Sequence, residues 1–185
     1  MLNLKARLNG KVDEDRQYMQ TRVAVRERLL AQELHELEQT LRNQNQCRLT
    51  FPSTSERHEM YLTITPQEGY YRGGTFKFHI SVPPEYNIVP PTVKCLTRIW
   101  HPNIAEDGAI CLSILRQNSL DAFGWRPTRN LSEVIHGLAS LFGDLIDFKD
   151  PLNVEAAKQY EQNKDAFLSR VRDYIRKYAQ AHHNT

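Results

Sequence analysis

The sequence predicts an α+β domain in which an N-terminal helix, a four-stranded antiparallel meander, a central helix and two C-terminal helices follow one another. Three observations predict it. Apolar residues recur at helical spacing between residues 21 and 42, alternate with polar ones in three runs between 47 and 82, and return to helical spacing after Trp125. At 185 residues the chain has room for one domain with a sizeable core.

Residues 1–20 mix charge and polarity around Gly10 and the acidic run Asp13, Glu14, Asp15, and read as a flexible tail. Within it Met1, Leu2, Leu4 and Leu8 make a short apolar stripe that one or two helical turns would present to a partner; a frayed end with incidental leucines is the plainer reading. From Thr21 to Arg42, Leu30, Leu34, Leu37 and Leu41 are spaced by four, three and four among arginines and glutamates, the pattern of an amphipathic helix. Cys47, Leu49 and Phe51, then Met60, Leu62 and Ile64, then Phe76, Phe78, Ile80 and Val82 alternate with polar residues as half-buried strands do. Pro52, the TPQEG segment and Gly73-Gly74 separate them, and a fourth short strand near Val93 follows the proline-rich VPPEYNIVPP. Asn130 with Glu133 three residues on resembles a capping box, and Leu131, Val134, Ile135, Leu138, Leu141, Phe142 and Leu145 form the stripe of a central helix. A short helix from Val154 to Glu161 and a last one carrying Phe167, Val171, Tyr174 and Tyr178 complete the order. The divisions expected are a docking tail over 1–20, a catalytic domain over 21–181 and a frayed end over 182–185.

Basic and acidic side chains nearly balance, 24 against 22, so bulk charge gives no support to nucleic-acid binding. No apolar run approaches the roughly 18 residues of a membrane helix, and the opening segment is too polar for a signal peptide. A soluble, intracellular protein without a membrane partner is expected. The three cysteines, Cys47, Cys95 and Cys111, are an odd number without C-x-x-C spacing, which argues against a disulfide framework or a structural zinc site. No coiled-coil pattern argues for a dimer, and a monomer is expected.

Residues 97–130 make a long connection for a compact domain, and long connections are often functional. Cys111 lies inside it among Ile110, Leu112, Ile114 and Leu115, neighbours that also suit a packed, inert thiol. Cys47 and Cys95 fall on the apolar faces of strands and read as inert. A cysteine hydrolase needs a histidine base, and His101 is the nearest one, yet Pro102 follows it in what reads as a rigid turn. A side-chain amide such as that of Asn103 is suited to donating to the oxyanion of an acyl-transfer intermediate.

His101-Pro102-Asn103 with Cys111 eight residues on, then Trp125-x-Pro127 and Asp150-Pro151-Leu152, resemble the ubiquitin-conjugating (UBC) enzyme family over about residues 21–180. The resemblance implies the UBC fold and acyl transfer without hydrolysis. A ubiquitin-like modifier would be taken from an activating enzyme as a thioester on Cys111 and passed to lysine with the help of a ligase. No cofactor would be bound, ATP being consumed upstream by the activating enzyme. Asn103 would support the oxyanion or the nearby loop, Asp150 would orient or desolvate the lysine, and Ser113 would stand at the gate two residues after the cysteine. His101, Pro102, Trp125 and Pro127 would be structural.

Asn87 stands where many relatives carry the first proline of a Y-P-x-x-P-P run, leaving no proline to hold a cis bond there, and RQNSLDAFG before Trp125 lengthens the following loop. With Gly137-Leu138-x-x-Leu141-Phe142 and the residues after Asp150, these features resemble the neddylation branch, in particular its second animal class, paired with the second RING-box protein and the fifth cullin. That likeness implies a Nedd-type modifier, its activating enzyme, a RING-box ligase with a cullin, and a defective-in-cullin-neddylation co-ligase as partners, in cytoplasm and nucleus. Met1, Leu2 and Leu4 would dock on the co-ligase, Arg22 and Arg26 on the activating enzyme, and Ile88, Pro90 and Pro127 on the ligase. Plainer readings are a solvated helix face for the arginines and core packing for Ile88. The rivals are an ordinary ubiquitin-conjugating enzyme, a catalytically silent module of the same fold, and a cysteine hydrolase.

Overall fold

The computed structural model describes residues 2–120 and 122–180, with side chains from residue 11 onward. Helix α1 spans Leu2–Arg42, strands β1 to β4 span Cys47–Thr50, Glu59–Ile64, Phe76–Ser81 and Thr92–Cys95, and helices α2 to α4 span Leu131–Ser140, Val154–Gln162 and Lys164–Tyr178. A 3-10 turn at Ser113–Leu115 interrupts the long connection. The strands pair antiparallel in chain order, as a meander.

The register follows from the alternation. Met60 faces Ile80, Leu62 faces Phe78 and Ile64 faces Phe76, so one side of the sheet is continuously apolar. Those six side chains are buried, together with Leu30, Leu34 and Leu37 of α1 and Leu131, Val134, Ile135 and Leu138 of α2, in one core. Burying each leucine stabilises the fold by about 1.5–3 kcal/mol relative to leaving it exposed. Asparagines start the last three helices: Asn130, Asn153 and Asn163 accept side-chain hydrogen bonds from the N–H groups of Glu133, Ala156 and Ala166. Each such cap contributes about 0.5–2 kcal/mol. Only half of the expected capping box forms, because the Glu133 carboxylate pairs with Arg129 at 2.8 Å instead of turning back to Asn130.

Two expectations change. Residues 2–20, expected as irregular tail, continue α1 without a break at residue 21. No glycine or proline occurs between Lys11 and Arg42, so the helix propagates into solvent on propensity. Leu145 is 49% exposed, because α2 ends at Ser140 and the turn after it carries Leu145 out of phase with the buried stripe. Met1 and the expected frayed end 182–185 lie outside the described residues.

Candidate active site

The site is built on a tight turn that the sequence HPN closes on itself. The His101 ring is fully buried; its Nδ1 accepts the Asn103 N–H at 2.9 Å, and its Nε2 lies 2.6 Å from the Leu141 carbonyl. A carbonyl only accepts, so Nε2 carries the proton and both ring nitrogens are engaged. Tyr71 stacks on the imidazole at 5.0 Å between centroids and donates its hydroxyl to the Trp100 carbonyl at 2.8 Å. The His101 ring is therefore committed to hydrogen bonds within the fold and holds no free lone pair for the thiol of Cys111.

Burial pushes the His101 imidazole down to about 4 from an ordinary 6.5, with the Leu141 carbonyl opposing. The folded protein binds fewer protons here than the unfolded chain, so this contribution is complete above pH 6.5 and is lost as pH falls through about 4. At about 1.4 kcal/mol per pH unit, the loss amounts to about 2–3 kcal/mol by about pH 4.5. Urea denaturation near neutral and mildly acidic pH should show His101→Gln losing less stability on acidification than the parent by that amount. Equal losses in both proteins would contradict a buried neutral imidazole.

Asn103 is 2% exposed, and its amide is spent within the fold. Nδ2 donates to the Asp147 carbonyl at 2.8 Å and Oδ1 accepts the Asp147 N–H at 2.9 Å, a two-way clamp on the segment leading to Asp150. Both ends of the Asn103 amide are engaged with the Asp147 backbone, the contact that support of the loop requires. The Asp147 carboxylate in turn accepts the N–H groups of Lys149 and Asp150, at 2.8 and 3.2 Å, and the Pro102 carbonyl accepts the Asn153 N–H at 2.7 Å. Asp150 is thus fixed by its backbone while its carboxylate stays exposed.

Cys111 is placed from the same turn, its N–H donating to the Asn103 carbonyl at 2.9 Å. Between them the chain makes a small hairpin, in which Ile104 bridges both His101 and Ile110. Gly108, at φ +89°, lets this hairpin press on β4; a Cβ there would collide with the Cys95 carbonyl. The Cys111 thiol is half-buried, whereas burial pushes the thiols of Cys47 and Cys95 up to about 11 and about 12. Cys111 is the accessible thiol of the three. Ser113, half-buried, opens the 3-10 turn and borders a groove of about 410 Å³ that also takes in Leu112, Ile114, His136, Gly137 and Leu145. Among the described residues no cluster of metal-ligating side chains occurs, and no helix is long and apolar enough to cross a membrane.

A second exposed region lies at the far end of the long connection. The buried Trp125 donates its indole N–H to the Asn87 carbonyl at 2.8 Å, and the Asn87 amide donates to the Pro127 carbonyl at 2.6 Å. The Tyr86–Asn87 peptide is cis although no proline follows Tyr86. Asn87 thereby ties the two loops expected to face a ligase into one surface, on which Ile88 is 52% exposed and Pro127 is exposed. Pro90 is buried and drops out of that surface.

Arg22 and Arg26, expected to dock on a partner, are engaged within the fold. Arg22 donates to the carbonyls of Glu85 and Tyr86 at 3.1 and 2.7 Å, and Arg26, 7% exposed, donates to the Val82 carbonyl at 3.1 Å. Both guanidinium groups cap backbone of the loop that carries Ile88. Glu33 joins them, accepting the Tyr86 hydroxyl at 2.7 Å and the Leu131 N–H at 2.8 Å, with burial holding its carboxyl above the usual range. Sequence reading missed Glu33 and Asp147, whose partners are remote in the chain.

The sequence profile of the ubiquitin-conjugating enzyme family matches residues 29–175. The chain belongs to the ubiquitin-conjugating enzyme family. Among its relatives, the NEDD8-conjugating enzyme ubc-12 of Caenorhabditis elegans is 63% identical over 180 residues, covering 96% of this chain and 99% of that one. The NEDD8-conjugating enzyme UBE2F of Homo sapiens is 54% identical over 158 residues, 85% of this chain and 84% of that one. The solved E2 domain of a Toxoplasma gondii ubiquitin conjugating enzyme superposes with a TM-score of 0.68 at 28% identity, covering 82% of this chain and 97% of that one. The UBC fold expected from the HPN, W-x-P and D-P-L motifs is the fold observed.

Proposed function

We propose that the protein is a neddylation conjugating enzyme, taking a NEDD8-type modifier onto Cys111 and passing it to lysine of a cullin. The observation that carries the chemistry is the pairing of an accessible Cys111 with a His101 whose two nitrogens are both committed. Such a site accepts an acyl group by thioester exchange and holds it without a histidine in the motif to activate water. In transfer, a lysine that has given up one proton attacks the thioester carbonyl; the C–N bond forms, the C–S bond breaks, a second proton leaves the nitrogen, and Cys111 departs as thiolate. The needs of that step are placement and electrostatic help more than a strong base. Asp150 meets the amine at the lip, Asn103 holds the segment that carries it, and Ser113 stands at the mouth of the groove that receives the modifier's tail.

The choice of modifier rests on the two NEDD8-conjugating relatives, and ATP would be spent upstream by the activating enzyme. The surface joining Ile88 to Pro127 is assigned to a RING-box ligase. Residues 1–20 are assigned to docking, with Met1, Leu2 and Leu4 on a co-ligase; the exposed Val12, Tyr18 and Met19 farther along α1 support a helix-in-groove mode with the activating enzyme. Work in cytoplasm and nucleus belongs to the same reading.

Charging reactions with ATP test it, run with the NEDD8 activating enzyme and NEDD8 beside the ubiquitin pair, on the full chain and on a chain lacking residues 1–20. A reducible adduct with NEDD8 alone, formed about tenfold or more slowly after truncation, is expected, since each about 1.4 kcal/mol of lost docking energy costs a factor of ten. An adduct with ubiquitin alone would move the enzyme to the ubiquitin branch, and unchanged charging after truncation would remove the docking role.

A further inference from the structure

We propose that Phe148, stacked on Tyr160 of α3, is a positioning residue that holds Asp150 in place for the incoming lysine. The inference rests on the role of Asp150 given above. The Phe148 and Tyr160 rings lie 3.8 Å apart between centroids at 15°, and both set an edge against the fully buried Phe167 of α4. The Tyr160 hydroxyl pairs with that of Tyr70 at 3.2 Å, and the Lys164 ammonium sits 5.4 Å from both of those rings, which completes the aromatic platform.

Phe148 sits between the two residues that matter to the lip. Asn103 pins Asp147 on one side through the backbone, and Asp150 follows on the other with its carboxylate exposed. Hydrogen bonds at Asp147, Lys149, Asp150 and Asn153 hold the backbone between Asp147 and Asn153, and the Phe148–Tyr160 contact adds a side-chain anchor to a helix. The Phe148 ring anchors that interval to α3, a regular element, so the position of the carboxylate is set by a rigid platform. A displacement of about 1 Å at a reacting group is enough to cost on the order of a hundredfold in rate. A positioning contact removed from outside the chemistry should therefore cost about tenfold or more.

The test is single-turnover discharge of preformed thioester to free lysine, compared with discharge to hydroxylamine, a small amine uncharged near neutral pH. Phe148→Ala should load normally, discharge to hydroxylamine at the parental rate and discharge to lysine about tenfold or more slowly. Tyr160→Phe, which keeps the ring face, should retain lysine discharge, and Tyr160→Ala should lose it. Phe148→Ala added to Asp150→Ala should slow lysine discharge no further. Should Phe148→Ala fail to load, Phe148→Leu keeps apolar volume without the ring face and answers the same question. Parental lysine discharge by Phe148→Ala, or a slowing that persists in full on the Asp150→Ala background, would overturn the proposal and leave the role of Asp150 standing. Parental discharge by Asp150→Ala would overturn the Asp150 role and the proposal with it.

Discussion

Cys111→Ala is expected to form no thioester with any modifier while retaining the parental fold and thermal midpoint. The thiol is half-buried and stands outside the buried core cluster. The other two cysteines cannot substitute. Both are buried, with thiols pushed up to about 11 and about 12, so fewer than about one in a thousand of either is thiolate near neutral pH. Non-reducing gels after charging, with a melting curve on the same preparation, give both readouts. A reducible adduct on Cys111→Ala would place the nucleophile elsewhere; loss of the fold would show the thiol to be structural.

Asn103→Ala should slow discharge to lysine by on the order of a hundredfold while changing loading by less than about threefold. Its amide makes two hydrogen bonds to one backbone unit, the N–H and carbonyl of Asp147. Removing it leaves both groups to find water or go unsatisfied, at about 1–3 kcal/mol each if they stay buried. The segment carrying Asp150 would then loosen, and amide hydrogen exchange at Asp147 should accelerate along with the loss of rate. That second readout separates the clamp from direct oxyanion stabilisation. Slowed discharge with unchanged exchange at Asp147 would mean that the amide acts on the intermediate after all.

These two residues stood out in the sequence for different reasons from those that fix their roles. Cys111 was conspicuous because a thiol sat in a long connection eight residues past HPN, and its exposure is what separates it from the inert reading. Asn103 was conspicuous as an amide near a thiol; its engagement with Asp147, 44 residues away, is visible only in three dimensions. The same holds for Arg22 and Arg26. On a helical wheel they sit among charged residues, but the loop at 82–86 folds across that face and supplies bare carbonyls for them to cap. Local periodicity carried the sheet and the buried stripes because each strand alternates cleanly and each leucine repeats at helical steps. It carried less where the answer was set by absence of contact, as in residues 11–20, where Val12, Tyr18 and Met19 are too sparse for their spacing to announce a helix. Asn87 is a middle case: the missing proline was legible, whereas its use of both backbone and side chain to join the Trp125 and Pro127 loop to its own was not.

The proposed function has the site transfer to amines without hydrolysis. The direct measurement isolates the charged enzyme from activating enzyme and ATP, then follows the thioester by intact mass with and without lysine. The adduct is expected to persist without lysine and, when lysine is added, to convert to the lysine amide of the modifier. Release of free modifier at the same rate in both samples would contradict it, and would mean that a base other than His101 activates water at Cys111.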